Sequence, residues 1–260
     1  MMIHSFCLLL LSYVLLLQTP VLAATQQTYA VIVGISDYAL GQPGKGDLNF
    51  ADDDARLFAN MLQSPAGGSV PAANIMLLTE KQATRANIIK AMTLFRRAAK
   101  NDRIIFFFSG HGDQGVLLPY DAAPGVVVLH NDVKLAFRQS NAQTKLLLAD
   151  ACKSGSMYRS SLSKTPVARA HTLNNNVIVM LSSRANQFSQ ELAQLKHGAF
   201  TYYLVLGASG KADADHNQTV TMRELYVYMR NTIQQATYNQ QTPVVFGRFS
   251  SDMPFAVVAH

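Results

Sequence analysis

Cysteine is scarce: the 260-residue chain carries two, Cys7 and Cys152. That count excludes a disulfide-stapled scaffold, and neither a CxxC pair nor an HExxH segment is present to hold zinc. Tryptophan is absent and no RNA-reading aromatic motif occurs, which removes the base-stacking modules. Charged residues make up only 15% of the chain and its net +6 is scattered rather than gathered in a stripe, so nucleic acid is not indicated as a partner. No strand-like run is followed by GxGxxG or by GxxxxGK with Ser or Thr, which sets aside nucleotide-binding α/β domains. No repeat at solenoid spacing is found. What is present is apolar: 49% of residues are hydrophobic, too many for a disordered chain and enough for one substantial core.

The first apolar run, residues 6–17, is about a dozen residues long, too short to span a bilayer and placed at the extreme N-terminus. Pro20-Val21-Leu22-Ala23 follows with small or modest side chains where a signal peptidase cuts. The expectation is a signal peptide over residues 1–23, a mature domain over 24–260, and export to the periplasm or exterior. The n-region offers only the terminal amine and His4 as positive charge, so an uncleaved N-terminal anchor is the alternative. No later segment reaches spanning length, so no integral membrane segment is expected after leader removal. Cys7 would leave with the leader, and Cys152 would be the single thiol of the mature chain.

Residues 29–35 (YAVIVGI), 74–78, 103–109 (RIIFFFS), 145–150 (KLLLAD) and 177–181 (VIVML) are short apolar, β-branched or aromatic runs, the pattern of strands buried on both faces. A last short strand is expected at 244–246. Between the runs, apolar residues return at helical spacing: Ala51, Ala55, Phe58 and Leu62; Ile88, Met92, Phe95 and Ala99; residues 132–138; 200–206; and Leu225, Tyr228, Met229 and Ile233. Asp52, Asp53 and Asp54 fall in a first turn, where the helix dipole favours carboxylates. Strands alternating with helices imply a parallel sheet. Residues 156–176 have no apolar period and predict a long loop, functional or mobile.

Ligands of open parallel sheets bind beyond the carboxyl ends of the strands. Two runs end there in reactive residues: Ser109-Gly110-His111-Gly112 and Asp150-Ala151-Cys152-Lys153-Ser154-Gly155. If the two strands are neighbours, His111 and Cys152 face each other at the sheet's edge. An imidazole beside a thiol can take its proton and leave the thiolate that attacks carbonyls. The flanking glycines admit a substrate backbone, and the amides of Gly112 and Cys152 can point at an oxyanion.

SGHG after one hydrophobic strand, with DACKSG 41 positions later after another, resembles the caspase and metacaspase family of cysteine peptidases. YAVIVGISDY resembles the family's first strand, and residues 182–191 (SSRANQFSQE) resemble its segment after the fifth. The resemblance covers nearly all of the mature chain. It implies a caspase-like three-layer α/β/α sandwich with a mostly parallel central sheet of about six strands. It also implies His111 as general base, Cys152 as nucleophile and a peptide or protein substrate. Asp150, where caspases have Gln, would line the S1 pocket and favour Arg or Lys at P1. Metacaspases usually bring a second Asp from the segment after the fifth strand; here the matching position is Ala185. The loop 156–176 matches the region many members cut on activation and contains Arg159, Lys164 and Arg169, so self-cleavage stands beside a connection that is never processed. A catalytically silent caspase-fold binding or regulatory module is the alternative function.

Asp213, Asp215, Asn217, Thr219, Thr221 and Glu224 occupy the ligand positions of an EF-hand-like loop. Gln218 stands where that loop needs glycine, and Thr221 with Glu224 also spells a capping box, so calcium and a capped turn are both open. No cofactor is required by the dyad chemistry. His130, His171, His197 and His216 receive no role, Asp113 reads as a loop-tip aspartate, and the oligomeric state is not set by the sequence.

Overall fold

A computed structural model describes residues 26–39, 47–113, 115–151, 177–184 and 186–258. Its centre is a six-stranded sheet: β1 (Thr28–Gly34), β2 (Ile75–Thr79), β3 (Arg103–Gly110), β4 (Thr144–Ala151), β5 (Val177–Leu181) and β6 (Val244–Gly247), in the order β6-β5-β4-β3-β1-β2. All neighbours are parallel except β6, which runs antiparallel to β5. This is the mostly parallel sheet that the apolar runs imply.

The sheet sorts its side chains by the two-residue period of a strand. Ala30, Ile32, Ile105, Phe107, Leu146, Leu148, Ile178 and Met180 point to one face. There they meet α1 (Ala51–Gln63), α4 (Ala199–Leu206) and α5 (Met222–Ala236). Val31, Val33, Ile104, Phe106, Phe108, Leu147 and Ala149 point to the other face, against α2 (Arg85–Ala91), the 3-10 turn Met92–Arg97 that continues it, and α3 (His130–Arg138). Helices on both faces make the three-layer α/β/α sandwich. β3 supplies Phe106, Phe107 and Phe108, all fully buried. Phe107 stacks on Phe58 of α1 with ring centroids 4.6 Å apart, a contact worth about 0.5–1.5 kcal/mol beyond the area it buries.

Local chemistry sets the approach of α1. A Cβ on Gly34 would lie 2.9 Å from the Asp52 Cα and closer still to the Ala51 carbonyl and the Ala55 Cβ, so only glycine lets the helix start against the end of β1. On the other face, the Lys145 ammonium donates to the Ser140 carbonyl at 2.8 Å and to the Phe137 carbonyl at the end of α3, satisfying carbonyls that helix geometry leaves open. Among the described residues no helix is long and apolar enough to cross a membrane. The expected leader 1–23, Cys152, Ala185 and the loop 156–176 lie outside the described residues.

Candidate active site

The ends of β3 and β4 are in register: Ser109 pairs with Asp150 and Gly110 with Ala151. His111 is the next residue after one strand, and Cys152 is next in sequence after the other. Neighbouring strands lie about 4.7–4.9 Å apart. The His111 backbone is held on both sides. Its amide donates to the Tyr38 hydroxyl at 2.7 Å and its carbonyl accepts from Leu118 at 3.0 Å. The imidazole lies 5.0 Å from the Tyr38 ring, tilted by 33°. Gly110 makes this possible: its φ is +155°, and a Cβ there would sit 2.7 Å from the Tyr38 oxygen. Gly112 opens a short antiparallel hairpin by pairing with Leu117, while Asp113 pairs with Val116 and is exposed.

Beside these strand ends a pocket is lined by Asp54, Ser109, Asp150, Ser189, Glu191 and Gly198, among others. Asp150 is buried and hydrogen-bonded at both oxygens: one accepts from the Ser189 hydroxyl, the other from the Thr201 amide at 3.1 Å and its hydroxyl at 2.9 Å. Burial raises its pKa above the ordinary carboxylate range, against the pull of those donors.

Asp54 is the second carboxylate, and the sequence reading places it in helix-start chemistry instead. Asp52 does sit in that role, accepting from the Ser36 hydroxyl at 2.8 Å and pairing with Arg56 at 3.3 Å. Asp54 turns inward and is 1% exposed. Its Oδ1 lies 2.9 Å from the His197 Nδ1, and its Oδ2 accepts from the Ser109 hydroxyl at 3.0 Å and the Gly198 amide at 3.2 Å. Burial pushes its pKa up to about 7; the His197 hydrogen bond opposes that and the charge of Asp150 adds to it. In return the Asp54 hydrogen bond raises His197 above its ordinary value. His197, given no role from sequence, is thus the partner of a buried pocket carboxylate. A signal was available: Asp54 lies three after Ala51 and four before Phe58, on the helix's apolar stripe, where a solvated aspartate does not belong.

The chain entering α1 is held from elsewhere. The N-cap Phe50 supplies no side-chain bond; Glu191 accepts from the Asn49 amide at 3.0 Å and the Phe50 amide at 2.9 Å. The same Glu191 lines the pocket, so the segment after β5 and the head of α1 are tied together at its wall.

The EF-hand-like residues form a compact turn. Carboxylate oxygens of Asp213, Asp215 and Glu224 lie within 4.8 Å of one another, near enough for one ion to bridge. The same oxygens accept from the turn itself: Asp213 from Asn217 and Gln218, Asp215 from Asn217, Glu224 from Ala214 and Thr221. Asn217 accepts from the Thr219 amide at 2.8 Å. Thr221 and Glu224 close the capping box of α5.

The model for the caspase domain, a family of peptidases, matches residues 27–253. Among curated proteins no match was found. The fold is similar to the crystal structure of protein GSU0716 from Geobacter sulfurreducens, at a TM-score of 0.62 and 19% identity, over 90% of this chain and 100% of that one. At that identity the likeness speaks for the fold. The family match, spanning every element described above, says more: this chain belongs to the caspase-domain family of peptidases.

Proposed function

We propose that the protein is an exported cysteine endopeptidase that cuts after Arg or Lys. The observation that carries this reading is the register Gly110 opposite Ala151 beside a pocket holding two buried carboxylates, Asp54 and Asp150. Cys152 is the nucleophile and His111 the base that takes its proton. The thiolate adds to the scissile carbonyl, and the amides of Gly112 and Cys152 stabilise the oxyanion. His111 then returns the proton to the leaving amine, and water hydrolyses the thioester. A cationic P1 side chain meets charge-assisted hydrogen bonds from the pocket, whereas an aspartate there meets repulsion.

The reaction so drawn uses no metal; calcium at Asp213, Asp215 and Glu224 would act on stability of the turn before α5. The leader 1–23 directs export, and the loop 156–176 is the segment open to self-cleavage after Arg159, Lys164 or Arg169. Fluorogenic peptides ending in Arg, Lys or Asp, assayed with and without calcium and against Cys152→Ala, test the reading. Turnover confined to Arg and Lys peptides and lost in Cys152→Ala supports it. Equal turnover in the variant, or none with any peptide, would leave the silent binding module as the better account.

A further inference from the structure

At the opposite edge of the sheet, where β1 and β3 begin, a second pocket is lined by Thr28, Ser69, Val70, Arg103, Pro254 and Phe255, among others. Arg103 is the first residue of β3, so this pocket lies roughly 25 Å along the strand from His111. The Arg103 guanidinium is anchored at its stem side: Nε donates to the Thr28 hydroxyl at 3.1 Å and Nη1 to the Phe255 carbonyl at 2.8 Å. A guanidinium has five N–H donors. The other three find no acceptor among the described residues.

No Asp or Glu side chain answers its charge either. All 16 Asp and Glu side chains of the sequence belong to described residues, and none pairs with Arg103. Burial with no compensating charge pulls its pKa down to about 10. Arg103 is itself partly exposed, at the wall of this open pocket. At the rim, Ser69 is exposed, holds a left-handed backbone with φ 50°, and its hydroxyl has no partner among the described residues. The amides of Gly67, Gly68, Ser69 and Val70 are spent on their own turn, so recognition falls to the arginine fork and the serine hydroxyl. Val70 and Pro254 supply an apolar wall.

We propose that this pocket binds an oxyanion, the carboxylate or phosphate group of a small molecule with a short apolar body, anchored bidentately by Arg103. The planar fork matches either group, and a ligand there supplies a counter-charge that no Asp or Glu side chain provides among the described residues. The site stands apart from the peptidase reading and is tested without any activity measurement.

Thermal unfolding is followed during titration with inorganic phosphate and, separately, with butyrate, at ionic strength held constant with chloride. Wild-type Tm rises saturably by a few degrees in at least one series, which names the anion, and Arg103→Gln shows no rise. If Arg103→Gln does not fold, Ser69→Asp decides instead: its carboxylate at the rim competes for the guanidinium and abolishes the response. No saturable rise in either series, or the same rise in the deciding variant, overturns the proposal.

Discussion

Asp54 and Asp150 reach toward each other past the Cα of Gly198. A Cβ at that position would lie 2.8 Å from the Asp54 Oδ2 and tighter still against the Asp150 Oδ2, so the absence of a side chain at residue 198 is what lets two carboxylates share one pocket. Gly198→Ala drives a methyl between them. The expected result is a stability loss of about 1–3 kcal/mol from overpacking, read as a lowered Tm, together with a larger loss of Arg-peptide than of Asp-peptide binding to the pocket. An alanine variant with unchanged Tm and unchanged selectivity would mean that the carboxylates are not where the pocket needs them.

Replacing either acid by its amide keeps the shape and removes the charge. Asp150→Asn and Asp54→Asn should each lower kcat/KM for Arg and Lys peptides by about 10–100-fold, the worth of one charge-assisted hydrogen bond. Asp150→Asn should cost more, because no imidazole faces Asp150 as His197 faces Asp54. Steady-state kinetics on both variants check this; an unchanged ratio of Arg to Asp turnover contradicts it.

Asp54 and His197 titrate as a coupled pair around neutrality, both held above their ordinary values. Below that range Asp54 holds its proton and the imidazole is charged; as pH rises the protons leave and the pocket becomes more negative. Turnover of an Arg peptide relative to its uncharged citrulline counterpart should therefore climb through pH 7, and His197→Gln should flatten the climb. The stability effect has the opposite sense. Both groups bind protons more tightly folded than unfolded, so their contribution is full below the unfolded values of 3.8 and 6.5 and is lost as pH rises through the folded ones, about 7 for Asp54 and above 6.5 for His197. The Tm of Asp54→Asn should gain on wild type between about pH 4 and pH 8.

The sheet was legible because its strands are covered on both faces and read as unbroken apolar runs: residues 103–109 become β3 and 145–150 lie within β4, and each ends beside a dyad candidate. The pocket was not. Its acids come from α1 and β4, and its tie Glu191 and spacer Gly198 from one hairpin, three separated segments that no local pattern joins. Asp54 was hidden by its neighbours: three consecutive aspartates at a helix start satisfy the dipole rule so well that the one on the buried stripe drew no notice. The expectation of a second acid after the fifth strand points at Ala185, whereas among the described residues that segment brings Glu191 to the pocket wall and the second buried carboxylate comes from α1.

His130, at the head of α3, is 4% exposed and neither ring nitrogen has a hydrogen-bond partner among the described residues, although the Val116 backbone is close by. Burial, with Lys134 nearby, pulls its pKa down to about 4. The folded state therefore loses stability as pH falls from 6.5 toward 4, where the unfolded chain takes up a proton that the buried ring refuses. His130→Leu removes both an unsatisfied polar group and that acid limb. Its Tm should exceed wild type by about 2–4 °C for each kcal/mol recovered, with a wider gap at pH 4.5 than at pH 7.5. A Tm below wild type at both pH values contradicts this.

The most direct measurement is covalent capture of the thiol by a peptidyl-arginine chloromethyl ketone, followed by peptide mass mapping. A nucleophile activated by His111 beside an acidic pocket gives a single adduct on Cys152. It forms quickly in wild type, at least about a hundredfold more slowly in His111→Ala, and slowly with the aspartyl analogue. No adduct on Cys152, or equal labelling rates in wild type and His111→Ala, would contradict the dyad.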